Sequence, residues 1–144
     1  MKAKNFLIVA IVFLFAFSCT SSDPELEIEK LLDTRAKAIS TKNIELYKSC
    51  LAKNYQAPAE KMREHFEFWD AIEMRILDRS IVLKSADEAV VYQKYQFRVK
   101  KNGRWQVLKP AVEKLIVIRE GKIFKRWKIA KGLLPNEYSG DKPD

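Results

Sequence analysis

The sequence predicts an α+β domain, with three N-terminal helices packed on an antiparallel sheet of four long strands. Three patterns carry that prediction. Val90 to Ile129 contains three consecutive strand-like runs joined by two tight turns. Upstream, apolar residues recur at three- and four-residue intervals, as on the buried face of a helix. Between the two, Ile72 to Leu83 reads as a further long strand, with Ile76 and Leu77 adjacent and then Ile81, Val82 and Leu83.

Ser22-Asp23-Pro24-Glu25 is a helix start, with Ser or Asp as cap and Pro in the first turn. Ile28, Leu31, Leu32, Ala36 and Ile39 then line one stripe. The helix breaks at Ser40-Thr41-Lys42-Asn43, and a short second helix carries Ile44, Tyr47, Cys50 and Leu51 inward. A short strand is expected around Tyr55. Pro58 then opens a third helix with Met62, His65, Phe66 and Trp69 on one face. In the strand from Ile72 the alternation changes phase near Asp78 to Ser80, which predicts a bulge.

The first meander turn, Lys101-Asn102-Gly103-Arg104, supplies the positive-φ residues of a two-residue hairpin. Lys101 then faces Arg104, and continuing that register puts Val91, Tyr95, Phe97 and Val99 on one face with Leu108, Val112 and Ile116. The second turn, Arg119-Glu120-Gly121-Lys122, pairs Ile118 with Ile123 and sets Trp127 and Ile129 on the same face. Pro110 cannot donate to a ladder, so it marks an edge or a bulge, and a bulge would flip one hairpin's faces relative to the other.

The chain has 144 residues, enough for one domain. Its 27 basic and 19 acidic residues give a formal charge of +8, scattered rather than clustered. That balance speaks to solubility more than to a partner. Met1 to Asn5 is basic, and Phe6 to Phe17 is an unbroken apolar run of 12 residues. This has the form of a secretory signal, since a spanning helix needs about 20 apolar residues. Ala16-Phe17-Ser18-Cys19 resembles the lipobox of bacterial lipoproteins, in which the Cys is acylated and becomes the first residue. The same residues also satisfy the small-x-small rule of ordinary signal cleavage. The expected organisation is a signal peptide over 1–18, a lipid-attachment Cys19 and tether over 19–24, the domain over 25–131 and a flexible tail over 132–144. The expected location is the bacterial cell envelope, lipid-anchored, or secreted and periplasmic without the lipid. With Cys19 acylated, Cys50 has no intramolecular partner and is expected as a small buried hydrophobe.

Helix, helix, short strand, helix and four long strands is an order that resembles the nuclear transport factor 2-like superfamily, which includes SnoaL-like polyketide cyclases. Its most specific piece is Ile118-Arg119-Glu120-Gly121-Lys122-Ile123 followed by Trp127-Lys128-Ile129. The resemblance implies a curved sheet wrapped around the helices into a cone with a pocket. It also implies a scaffold shared by isomerases, cyclases, dehydratases and domains without activity.

The enzymes of that group use an acidic side chain in the cone to move a proton beside a carbonyl. On the hairpin register the inner polar positions are Gln93, Tyr95, Lys114 and Lys125, with Tyr47, Tyr55 and His65 approaching from the helices. None is acidic. Asp70 and Glu113 are the nearest acids, and Glu113 points outward unless Pro110 flips it. The candidate pocket is therefore Tyr47, Tyr55, His65, Trp69, Tyr95, Lys114, Lys125 and Trp127, and its lysines bias a ligand towards an anion. No catalytic residue, metal set or cofactor motif is identified. Tyr92, Trp105, Val117 and Phe124 form a candidate sheet-face interface, most simply a homodimer. Basic residues interleave with these aromatics, but a secreted, tethered protein is not expected to meet nucleic acid. The function expected is non-catalytic binding of a small anionic or apolar ligand, or of a protein, by a membrane-anchored lipoprotein. The alternative is an acid-base enzyme of the cyclase or isomerase kind.

Overall fold

The computed structural model describes residues 22–137, so the leader, Cys19 and the final residues of the predicted tail lie outside the described residues. Helix α1 (Pro24–Ser40) begins where its capping residues predict. The Asp23 carboxylate accepts the Glu25 N–H at 3.0 Å, and Pro24 sits in the first turn. It buries Ile28, Leu32, Arg35, Ala38 and Ile39. Helix α2 (Ile44–Ser49) is capped by Asn43, whose side chain accepts the Leu46 N–H at 2.9 Å, and it puts Tyr47 in the core. Cys50 follows it, buried as a free thiol. Burial pushes that thiol above its ordinary range, which keeps it protonated. The strand expected around Tyr55 does not form. Leu51 makes a single parallel bridge to Ile129, and the Tyr55 N–H bonds back to the Ala52 carbonyl at 2.9 Å, turning the chain into α3 (Ala57–Phe68).

Strands β1 (Ala71–Leu83), β2 (Glu88–Lys101), β3 (Arg104–Val107), β4 (Ala111–Glu120) and β5 (Arg126–Lys131) form one antiparallel sheet. Its order is β1-β2-β4-β5, with β3 paired to the far end of β2. The β1 bulge falls between Ile76 and Asp78, as the phase change predicts. The first hairpin also matches, with Asn102 at φ 50° and Gly103 at φ 77°. Lys101 faces Arg104 and Arg98 faces Val107.

The hairpin register then stops. The Leu108 N–H donates to the Phe97 carbonyl at 2.9 Å, Pro110 interrupts, and β4 resumes with Ala111 opposite Tyr95. The hairpin register would have placed Pro110 there, so β4 is shifted by one residue and every β4 side chain changes face. Glu113, Leu115 and Val117 are buried, while Val112 is 58% exposed and Lys114 and Leu108 are also exposed. The inward assignment of Leu108, Val112 and Lys114 is thereby corrected, and Ile116 is only partly buried. Val117 leaves the predicted interface for the core.

The second turn is longer than predicted. Glu120 faces Arg126, so the chain loops out over 121–125 and Ile123 does not pair with Ile118. Gly121, at φ 129°, makes this loop, because a Cβ there would strike the Phe124 carbonyl. Trp127 and Ile129 share the buried face as expected.

The segment predicted as a tail starts out docked. Gly132 has φ 105° and passes so close to β4 that a Cβ would meet the Lys114 carbonyl. Leu133 and Leu134 pack on the core. The Glu137 carboxylate accepts the Gly132 N–H at 2.8 Å, the Leu134 N–H at 3.2 Å and the Tyr55 hydroxyl, which itself accepts the Leu133 N–H at 2.8 Å.

Gly132→Ala is expected to lower stability by about 2 to 4 kcal/mol, since strain at positive φ adds to a backbone clash. Gly103→Ala, with nothing within 4 Å of its Cβ, is expected to cost only about 1 kcal/mol. Urea denaturation of the two variants checks the ranking. The docked segment carries a pH signature. Burial raises the Glu137 pKa, but the Tyr55 hydroxyl and the two N–H donors lower it more, so it is held below the usual carboxylate range. Its stabilisation is present above the unfolded-state value and is lost as pH falls through the folded one. Glu137→Gln is expected to be less stable than the parent at neutral pH and to converge with it in acid, read from thermal melts across that range.

Candidate functional site

The helices and the inner sheet face leave a cavity of about 990 Å³ at the end of the cone formed by α3, the second half of β2 and the start of β4. Its walls are aromatic and aliphatic. Trp69 and Phe68 meet edge to face at 4.7 Å between centroids, as do Tyr95 and Phe97 at 5.2 Å. Met62, Ile72, Val99 and Leu133 lie beside them, and the exposed Leu108 and Val112 also reach the lining.

The buried charges of the site come from α1 and β4. Arg35 and Glu113, 3% and 2% exposed, form a bidentate ion pair. Nη1 donates to Oε1 at 2.6 Å and Nη2 donates to Oε2 at 3.1 Å. Gln93 Nε2 donates to the same Oε1 at 2.8 Å. The Gln93 side-chain oxygen, Oε1, accepts from Arg79 Nε at 2.8 Å, and Arg79 Nη1 reaches Asp33 at 3.0 Å. One chain of polar contacts thus runs from the cavity to the surface of α1. Burial disfavours the Arg35 charge, but Glu113 and Tyr47 outweigh it and raise its pKa. Burial raises the Tyr47 hydroxyl, which Arg35 partly offsets. Tyr95 is likewise raised, first by burial and then by the Glu113 charge.

Of the predicted pocket residues, Tyr47, His65, Trp69 and Tyr95 line this cavity. His65 is exposed at its mouth rather than packed in an apolar stripe. The other four lie elsewhere. Tyr55 is tied to Glu137. Lys114 is on the outer sheet face, its ammonium 5.7 Å from the Tyr92 ring. Lys125 is in the exposed loop, 3.4 Å from Asp87. Trp127 is buried in the core, with the Arg119 guanidinium 5.0 Å from its ring. Both lysine assignments fail for a register reason, through the Pro110 shift and the longer second turn. The predicted interface is also dispersed. Trp105 pairs with Lys100 near the last residue of β2, whereas Phe124 lies beyond β4, whose Ile118 faces the first residue of β2. Tyr92, Trp105 and Phe124 are all exposed.

Sequence reasoning missed Arg35 and left Glu113 outside unless Pro110 flipped it, which is the flip that the register shows. Arg35 had a signal, since it falls on the stripe of Ile28, Leu32 and Ile39, where a charge must find a buried partner. Glu113 faces Gln93, a predicted inner position. Among the described residues no group of His, Cys, Asp or Glu could hold a metal ion, and no helix is long and apolar enough to cross a membrane.

Chemically, the site is a large apolar chamber whose one buried carboxylate already accepts three hydrogen bonds. A carboxylate offers about four lone-pair positions, so little of Glu113 is left for a substrate proton.

No protein-family model and no curated protein matches the sequence. Solved structures do match. A nuclear transport factor 2-like superfamily protein from Salmonella enterica superposes with a TM-score of 0.62 at 13% identity, over 82% of this chain and 96% of that one. A candidate ketosteroid isomerase from Shewanella frigidimarina gives 0.58 at 15% identity, over 72% and 90%. A protein of unknown function from Mycobacterium tuberculosis gives 0.63 at 14% identity, over 73% of this chain and 66% of that one. With three helices packed on this antiparallel sheet, the chain has the cone-shaped α+β fold of the nuclear transport factor 2-like superfamily.

Proposed function

We propose that the chain is an envelope lipoprotein, anchored through Cys19, whose cone binds a small apolar ligand without turning it over. The observation that carries the binding reading is the chamber of about 990 Å³, a size that takes a drug-sized molecule. The anionic preference expected from Lys114 and Lys125 loses its ground, because both lie outside the chamber, the buried Arg35 is neutralised by Glu113, and the exposed Lys61 of the lining is matched in charge by Glu64 on the same helix. The ligand this supports is uncharged and flat enough to lie between Trp69 and Tyr95. It carries one acceptor to meet the Tyr47 or Tyr95 hydroxyl, both of which hold their protons at neutral pH. The enzyme reading draws on one observation, a carboxylate in the same chamber as two tyrosines, which is the set that proton transfer beside a carbonyl requires. The three donors on Glu113 argue against it.

An uncharged naphthyl ketone dye separates the readings in one titration. Binding without chemistry predicts saturable one-to-one fluorescence enhancement, weakened about tenfold by Trp69→Ala, with no deuterium entering the dye's α-carbon from heavy water above the buffer rate. Deuterium incorporation that depends on the protein would establish the enzyme reading, and no saturable binding would sink both. For the anchor, labelled palmitate is expected to enter the parent chain and not Cys19→Ala. Equal labelling of the two would end that part of the proposal.

A further inference from the structure

The loop 121–125 carries the two most exposed large apolar side chains among the described residues, Ile123 at 85% and Phe124 at 81%. Gly121, at φ 129°, allows the backbone to turn so tightly here that a Cβ would strike the Phe124 carbonyl. Basic residues ring the loop. Lys122 and Arg126, next to the apolar pair, and Lys30 on the facing side of α1 have no carboxylate partner among the described residues, and Lys128 donates only to the Ser49 carbonyl. The nearby acids are mostly occupied. Glu27 is paired with Arg119, Asp87 with Lys125, and Glu120 accepts the Lys53 N–H, while Glu25 and Glu88 stay open.

The loop's position is the second observation. Arg119 reaches Glu27 at 3.3 Å, so the start of α1 and the β4–β5 loop lie at one end of the cone. Leu26, 46% exposed, adds a further apolar side chain to that end. Glu27, Lys30, Lys125 and Arg126 line one groove there. Cys19 stands three residues before Ser22, a reach on the order of 10 Å even fully extended. The ligand chamber opens at the opposite end, between α3 and the start of β4.

We propose that Ile123 and Phe124 dip into the bilayer that holds the anchor, with Lys122, Arg126 and Lys128 on its anionic headgroups. The anchor and the loop then fix two points of one end against the membrane, and the chamber faces away from it. This rests on the anchor reading for its geometry, but the loop's own chemistry is separable from the lipid. Apolar tips with a basic collar are the pattern of interfacial insertion, where buried apolar area and attraction to anionic lipid add.

The test uses the whole chain as cells process it, mixed with vesicles of phosphatidylcholine with or without phosphatidylglycerol, and nitroxide-labelled through Phe124→Cys or, as the far-end comparison, Val107→Cys. The proposal expects position 124 to be exposed to dissolved oxygen and shielded from aqueous nickel chelate, with 107 the reverse. It also expects Ile123→Asp/Phe124→Asp to return that end to water. A chain that floats with the vesicles while both positions are equally aqueous overturns loop insertion and leaves the anchor standing. If palmitate labelling fails, the unlipidated chain should still float with phosphatidylglycerol vesicles and lose at least about tenfold in partition in the double Asp variant. No flotation in that arm overturns the inference with the anchor.

Discussion

The buried ion pair of Arg35 and Glu113 is the constraint on which the cone depends. Two charges taken out of water are tolerable only when they are paired and hydrogen-bonded, and here the bidentate partners come from residues 78 apart in sequence, while Arg35 Nε is buried without a hydrogen-bond partner. Glu113 holds α1 against β4, Gln93 brings in β2, and Arg79 with Asp33 brings in β1 and returns to α1. Apolar packing alone would allow the helix to slide over the sheet, because hydrophobic burial is not directional. A bidentate pair with one allowed geometry does not. The pair also forms the polar floor of the chamber, so what fixes the wall and what remains for a ligand are the same question.

That floor exists because of Pro110. A proline cannot extend the ladder begun at Asn102-Gly103, so the chain leaves β3, drops one residue of register and resumes as β4. The slip turns Glu113 inwards and Lys114 outwards. Helix starts, the first hairpin, the β1 bulge and the buried Trp127 and Ile129 were all legible, because each is written in local signals of capping, turn chemistry or periodicity. The faces of β4 were not, since Pro110 announces a break without saying which side wins. The inner lysines were therefore a consequence of one undetermined residue of register. Arg35 was legible in principle, as a charge on an apolar stripe, and its partner could be found only once β4 was known to flip.

The second turn failed for a related reason. Gly121 was read as half of a tight turn, but its positive φ serves a longer loop that projects Ile123 and Phe124. That exposure is the observation from which the proposal of membrane insertion starts. Chamber at one end, apolar loop and the start of α1 at the other, gives the molecule a polarity that its composition did not suggest.

A double-mutant cycle on Arg35→Met and Glu113→Leu tests the central claim most directly, with unfolding free energies measured in urea. Each single variant strands a buried charge and should cost about 3 to 5 kcal/mol, whereas the double variant, with an apolar pair in place of the ions, should recover most of that loss. Small single effects that simply add in the double variant would contradict it, and would mean that the sheet and helix are held in place by packing alone.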